Sequence, residues 1–174
     1  MNVLMIFLRL VHIFSGIFWV GTSLFFVLFF EKIVKSAGPA GGAVMGKLAM
    51  SSFPTAAAFA SGLTVAAGLA MYYIDSKGFQ GGWILSPGPL TLTVGSISGI
   101  LAMLVGLTVQ RPAMARLSAL QKEIQQAGGQ PTPAQLQELQ AVQKRFSMAS
   151  RLAVVLMVIA VIGMESAREV GSIE

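Results

Sequence analysis

Apolar residues gather along this chain in four long runs almost free of charge, and the polar residues collect between them. The hydrocarbon core of a bilayer is about 30 Å thick, so a helix needs about 20 apolar residues to cross it. Residues 10–30 are the first such run, with His12 as its one ionisable side chain. Residues 51–74 and 91–110 are the second and third, and neither holds a charge. The fourth is shorter, with residues 152–164 uncharged. It reaches the length of a span over 147–166 if Arg151 snorkels at one end and Glu165 lies near the other interface. The pattern predicts an all-α fold, a bundle of four transmembrane helices, with residues 1–174 forming a single integral membrane domain.

Between the third and fourth runs the pattern changes. Over residues 111–150 apolar positions recur at three- and four-residue spacing, first Leu117, Leu120, Ile124 and Ala127, then Leu136, Leu139, Val142 and Phe146. That is the mark of two amphipathic helices, and Gly128-Gly129 between them tolerates the positive φ that ends a helix. The second arm opens Thr132-Pro133, with Gln135 placed to complete a capping box and proline at the first helical position. The arms match in length, so spans three and four are expected to continue out of the membrane as a cytoplasmic helical hairpin, bent at Pro112.

Composition agrees. Hydrophobic residues are 55% of the 174 and charged ones 11%, against about 25% charged in ordinary soluble domains. Mean hydropathy is +0.75. There is no cysteine, which excludes disulfides and thiolate metal sites. The net charge of +5 comes from Lys and Arg at the ends of apolar runs, a membrane-orienting pattern that excludes nucleic acid as partner. Nine of the twelve, Lys32, Lys35, Lys47, Arg111, Arg116, Lys122, Lys144, Arg145 and Arg151, follow spans one and three; Arg9, Lys77 and Arg168 lie on the other side. Positive charge stays cytoplasmic, so both termini are expected outside. A cleaved signal peptide does not fit the first run, which is too long and lacks a small-x-small cleavage site. The outer loop brings Trp83 and Phe79 beside Tyr72 and Tyr73, an expected aromatic belt.

Helices in lipid associate through small residues. Ala60, Thr64 and Gly68 in span two, and Gly95, Gly99, Ser98, Ala102 and Gly106 in span three, are the expected contact faces. Small residues on more than one face of span three leave room for a neighbouring subunit.

One stripe carries candidate chemistry. Arg9, His12, Gly16, Trp19 and Ser23 share a face of span one. Histidine and tryptophan on an inward membrane face raise a functional hypothesis. His12 and Glu165 should lie at similar depth, with Arg9, Arg168 and Glu169 about one turn further out. If spans one and four touch, Glu165 would bond His12 or pair with Arg9. With one histidine and no cysteine, a metal site at His12 would need Glu165, methionines or a second copy of the chain. A haem b would need His12 from two protomers, or a methionine such as Met164 as second axial ligand. The cofactor-binding candidates are therefore His12, Trp19, Arg9 and Glu165, with His12 the metal candidate. No phosphate-cradling glycine loop, paired-carboxylate site or nucleophile–base arrangement is present, so no catalytic residue is assigned.

The run LVHIFSGIFWVGTSLFF resembles the opening helix of a bacterial membrane superfamily that includes CopD-like copper-resistance proteins and HemJ-type haem-pathway proteins. The shared pattern is His12, Trp19 and Gly21. The resemblance implies a four-helix fold in the bacterial cytoplasmic (inner) membrane and a haem or metal association for His12; the layout looks closest to uncharacterised members. Glu31 and Lys32 stand where Pro-Arg is expected in HemJ-like proteins, and the other histidines of copper-export relatives are missing. Two functions are expected. The first is a non-catalytic membrane protein working through helix contacts, as an accessory subunit or homo-oligomer. The second is a haem- or metal-binding membrane protein using His12.

Overall fold

The computed structural model describes residues 3–171, without the side chains of Pro39 and Arg168. The described residues are all-helical: α1 (Val3–Ser36), α2 (Gly38–Met50), α3 (Phe53–Asp75), α4 (Gly81–Ile84), α5 (Pro87–Gln126) and α6 (Pro133–Gly171). Four of them, α1, α3, α5 and α6, are long and apolar enough to cross a membrane. Helix is the form such segments must take, because hydrocarbon offers the backbone no partner. The hydroxyls inside the spans obey the same constraint: Thr22, Ser98 and Thr108 each donate to the carbonyl four residues back in their own helix.

The four spans pack as two pairs. α5 and α6 share by far the most extensive contact, α1 and α3 the next, and the pairs touch each other lightly. Glycine sets the first pairing. A Cβ on Gly163 would stand 3.0 Å from Gly95 Cα and 3.0 Å from the Thr91 carbonyl, and one on Gly95 would stand 2.9 Å from the Ala160 carbonyl. Backbone therefore lies on backbone here, and Ala102 and Ala153 continue the contact fully buried. The expected faces on Gly95 and Ala102 are used in this way; their partner Gly163 went unremarked in the sequence. In the other pair, Gly16 lies against Thr64, whose hydroxyl sits 2.8 Å from Ser15 Oγ.

Two of the spans are interrupted by π turns at the same end of the bundle. In α1 the turn is Phe26–Phe30, closed by the Glu31 N–H on the Phe26 carbonyl. In α5 it is Gly106–Gln110, closed by the Arg111 N–H on Gly106. The second widens the helix just ahead of Pro112, whose ring would otherwise crowd the carbonyl four residues back. At Pro112, where a bend is expected, the helix runs on without a break to Gln126.

Beyond the π turns α5 and α6 run on as a hairpin. Leu117, Leu120 and Ile124 are buried between the arms as their spacing predicts, whereas Leu136, near the turn, is exposed. Gly128 and Gly129 have φ of +95° and +85°, and the Gly129 N–H returns to the Ile124 carbonyl. The capping box forms as read from the sequence: Thr132 N–H donates to Gln135 Oε1 at 2.9 Å and Gln135 N–H to Thr132 Oγ1 at 3.3 Å. Arg116 clamps the arms together with two bonds to the Glu138 carboxylate, 2.6 and 2.8 Å. That guanidinium holds the Glu138 carboxyl below its ordinary range.

α2 has no apolar periodicity of its own. It is a helix because it lies across the hairpin: Met45 and Ala49 pack with Ala113, Met114, Leu117, Phe146 and Phe26. Its glycines permit the fold-back, since a side chain on Gly41 would enter the Val34 backbone and one on Gly46 would meet Gln121. At the opposite end Tyr72, Phe79 and Trp83 form a cluster with an edge-to-face contact of 5.3 Å between Tyr72 and Trp83. The Tyr72 hydroxyl donates to Thr93 Oγ1, which itself donates to Pro89, tying α3 to α5.

Gly163→Val should separate α5 from α6 and cost about 1–3 kcal/mol, the range for overpacking a filled contact. Gly62→Ala, where nothing stands within 4 Å, should change stability by no more than about 0.5 kcal/mol. Unfolding of the two variants in mixed micelles compares them directly.

Candidate functional site at His12

The loose seam between the helix pairs leaves open space. A cavity of about 470 Å³ reaches all four spans, and His12, Gly16 and Trp19 of α1 stand in its wall. Thr64 and Gly68 of α3, Gly99 of α5 and Met157 and Met164 of α6 complete it. A second cavity of about 390 Å³ continues toward the Tyr72–Trp83 end and shares His12, Ile13, Gly68, Ser96 and Met164 with the first. Arg9, Asp75 and Trp83 line this outer part. Exposed Ile13, Ile17 and Val161 stand at the margin of the larger cavity, so it opens along the α1–α6 seam.

His12 is oriented by α3. Its Nδ1 lies 2.7 Å from the Thr64 carbonyl oxygen. A carbonyl has no proton to give, so Nδ1 carries the hydrogen, and in the tautomer this selects the lone pair is on Nε2. Gly68 makes room for this placement: a Cβ there would stand 3.0 Å from His12 Cε1 and 3.1 Å from Nδ1. The ring thus lies against bare backbone, half-buried. No hydrogen bond within the described residues engages Nε2.

Trp19 is buried, packed with Ala60, Ala102, Ala153 and Met157, and forms the floor between the large cavity and a small one of about 80 Å³ lined also by Ser23 and Gln110. The stripe read from the sequence is therefore brought together on one wall: Arg9 in the outer cavity, His12 in both, Gly16 and Trp19 in the inner. Glu165 is the exception. It is exposed and, among the described residues, neither bonds His12 nor pairs with Arg9. The reason is geometric: α1 packs on α3, and only lightly on α6, so the imidazole finds its partner in the α3 backbone. Glu169 is likewise exposed, and the Arg168 side chain lies outside the described residues. No group of three or more His, Asp or Glu able to hold a metal occurs among the described residues.

A second polar cluster was missed in the sequence. Glu31 is 7% exposed, and its Oε1 accepts from Lys35 Nζ at 2.5 Å, Ser147 Oγ at 2.5 Å and Arg151 at 2.9 Å. Its Oε2 is buried without a partner. Arg151, expected to snorkel, instead reaches across to α1. The π turn carries the stripe past Ser23. In a regular helix Glu31 would lie about 100° round from His12, and one extra residue removes that offset. The inward face therefore continues as Phe26 and Glu31 after Ser23.

Fold and site together define, over the described residues, an all-helical protein with four helices long and apolar enough to cross a membrane, around an apolar cavity that presents a single imidazole. Comparison with protein-family models, with curated proteins and with solved structures found no match.

Nitrogen-15 spectra of the one histidine should show the Nδ1–H tautomer, with Nδ1 as the protonated nitrogen. In Gly68→Ala the added methyl displaces the ring, and both resonances should move. A wild-type spectrum with the proton on Nε2 refutes the assigned orientation.

Proposed function

We propose that the chain is a non-catalytic four-span membrane protein that holds a flat apolar ligand in the intrabundle cavity, with His12 as its polar anchor. The observation that carries this reading is the lone pair of Nε2, held in the cavity wall while Nδ1 is tied to the Thr64 carbonyl. A ligating imidazole uses its second nitrogen in this way, to fix the ring and its tautomer. The cavity falls within the roughly 300–1,000 Å³ of small-molecule sites. Haem b fits the chemistry of the wall. His12 and Met164, both in the cavity wall, are the residues that would hold it, and Arg9 in the second cavity would suit a carboxylate substituent. A bound haem would supply reversible one-electron or small-ligand chemistry. The chain's own residues orient the imidazole, exclude water and keep the surroundings apolar. The resemblance of the His12–Trp19–Gly21 run to haem- and metal-associated membrane proteins supports the same reading.

A second reading, an accessory subunit or homo-oligomer acting through helix contacts, is favoured by α1. Only 6% of its apolar window is buried, so most of its surface is available to lipid or to another membrane protein. Both readings share a threading in the bacterial inner membrane with the hairpin in the cytoplasm and both termini outside. It is supported by the crowding of Lys and Arg at the hairpin end.

An absorption spectrum of the purified protein tests the first reading. A Soret band that disappears in His12→Ala is expected; a colourless, metal-free preparation from native membranes overturns it and leaves the second. For the threading, a cysteine placed at Gly129 should resist an impermeant thiol reagent in intact cells and react after lysis. Reaction in intact cells would invert the assignment.

A further inference from the structure

At the end where α1 leaves its apolar run lies another cavity, about 440 Å³, sharing no residue with the two beside His12. Its wall combines two chemistries. Phe26, Met45, Phe146 and Met148 are apolar, while Lys35, Lys144 and Arg151 bring three positive charges against the one negative charge of Glu31. Two positive charges are left in excess. Lys35 and Arg151 are fixed in part by their bonds to Glu31 Oε1, and their side chains remain 64% and 61% exposed. Glu31 Oε2, in contrast, is buried with no donor. A carboxylate oxygen so placed calls for a hydrogen-bond donor. The site therefore asks for three things from one occupant: negative charge, a hydroxyl or amine hydrogen, and an apolar tail.

We infer that this cavity binds the headgroup of an anionic, hydroxyl-bearing phospholipid of the phosphoglycerol type. The phosphate diester meets Lys144 and Arg151, a glycerol hydroxyl donates to Glu31 Oε2, and the acyl chains run along the apolar wall beside Phe26 and Met148. A phosphocholine headgroup fails twice, having neither net negative charge nor a polar hydrogen. Depth is consistent, because Glu31 directly follows the apolar run of α1, where headgroups lie.

Native mass spectrometry of the full-length protein, exposed in micelles to lipids with identical acyl chains, tests this. Phosphatidylglycerol should be retained severalfold over phosphatidylmethanol, which has the same charge and no hydroxyl, and that in turn over phosphatidylcholine. Lys144→Gln and Arg151→Gln should each weaken phosphatidylglycerol retention severalfold, while Lys122→Gln, which removes an equal charge from the hairpin outside the cavity, leaves it unchanged. In Glu31→Gln the preference for phosphatidylglycerol over phosphatidylmethanol should vanish. If that variant does not assemble, the two lipids compared on wild-type protein decide the same point. Equal retention of those two overturns the inference, as does a loss in Lys122→Gln matching that in Lys144→Gln. Displacement by soluble glycerol phosphate at concentrations equal to the lipid would assign the site to a free phosphate ester instead.

Discussion

Helices surrounded by hydrocarbon gain nothing by hiding leucine from the solvent, so they stay together only where they can come close. In this protein the means of close approach are unevenly shared. Gly95 on Gly163, with Ala102 and Ala153 beside them, brings α5 and α6 into backbone contact. Gly16, Thr64 and Gly68 do something similar for α1 and α3. The two pairs touch more lightly, through Trp19 packed with Ala60, Ala102, Ala153 and Met157. The cavity that reaches His12 lies along this lighter seam, where glycines on facing helices leave space that no large side chain fills.

The parts of the fold legible in the sequence are those written by composition or by a short local motif. A span is twenty apolar residues in a row, and Thr132–Gln135 caps a helix by its own side chains, so both could be read without knowing the neighbours. The hairpin core at Leu117, Leu120 and Ile124 was legible for the same reason. α2 was not, because its glycines argue against a helix and only its tertiary contacts with Met114 and Phe146 make one. α1 itself begins at Val3, ahead of the apolar run at 10–30, because a helix can carry a charge such as Arg9 where an apolar run cannot.

The candidate site divides in the same way. The face shared by Arg9, His12, Gly16 and Trp19 follows from helical geometry alone. What holds His12 does not, since its partner is a main-chain carbonyl 52 positions along the chain, and every residue has a carbonyl. Reading Glu165 as that partner rested on depth, which orders groups along the membrane normal and says nothing of which helices are neighbours. Gly68 was read as a packing residue, correctly, without any sign that what it packs against is an imidazole.

The π turn at Phe26–Phe30 has a consequence for how α1 tolerates change. It separates the helix into two lengths whose angular phases are set independently, one carrying His12 and Trp19, the other Glu31. Deleting one residue within it would let the stretch close as regular α-helix and keep the carboxylate on the face of His12, whereas one added residue would rotate it by about 100°, away from Arg151 and toward lipid, where an unpaired charge is strongly disfavoured. Exchanging one apolar side chain for another in those five positions keeps the phase. Along this stretch one residue is spare, so shortening is tolerated where lengthening is not.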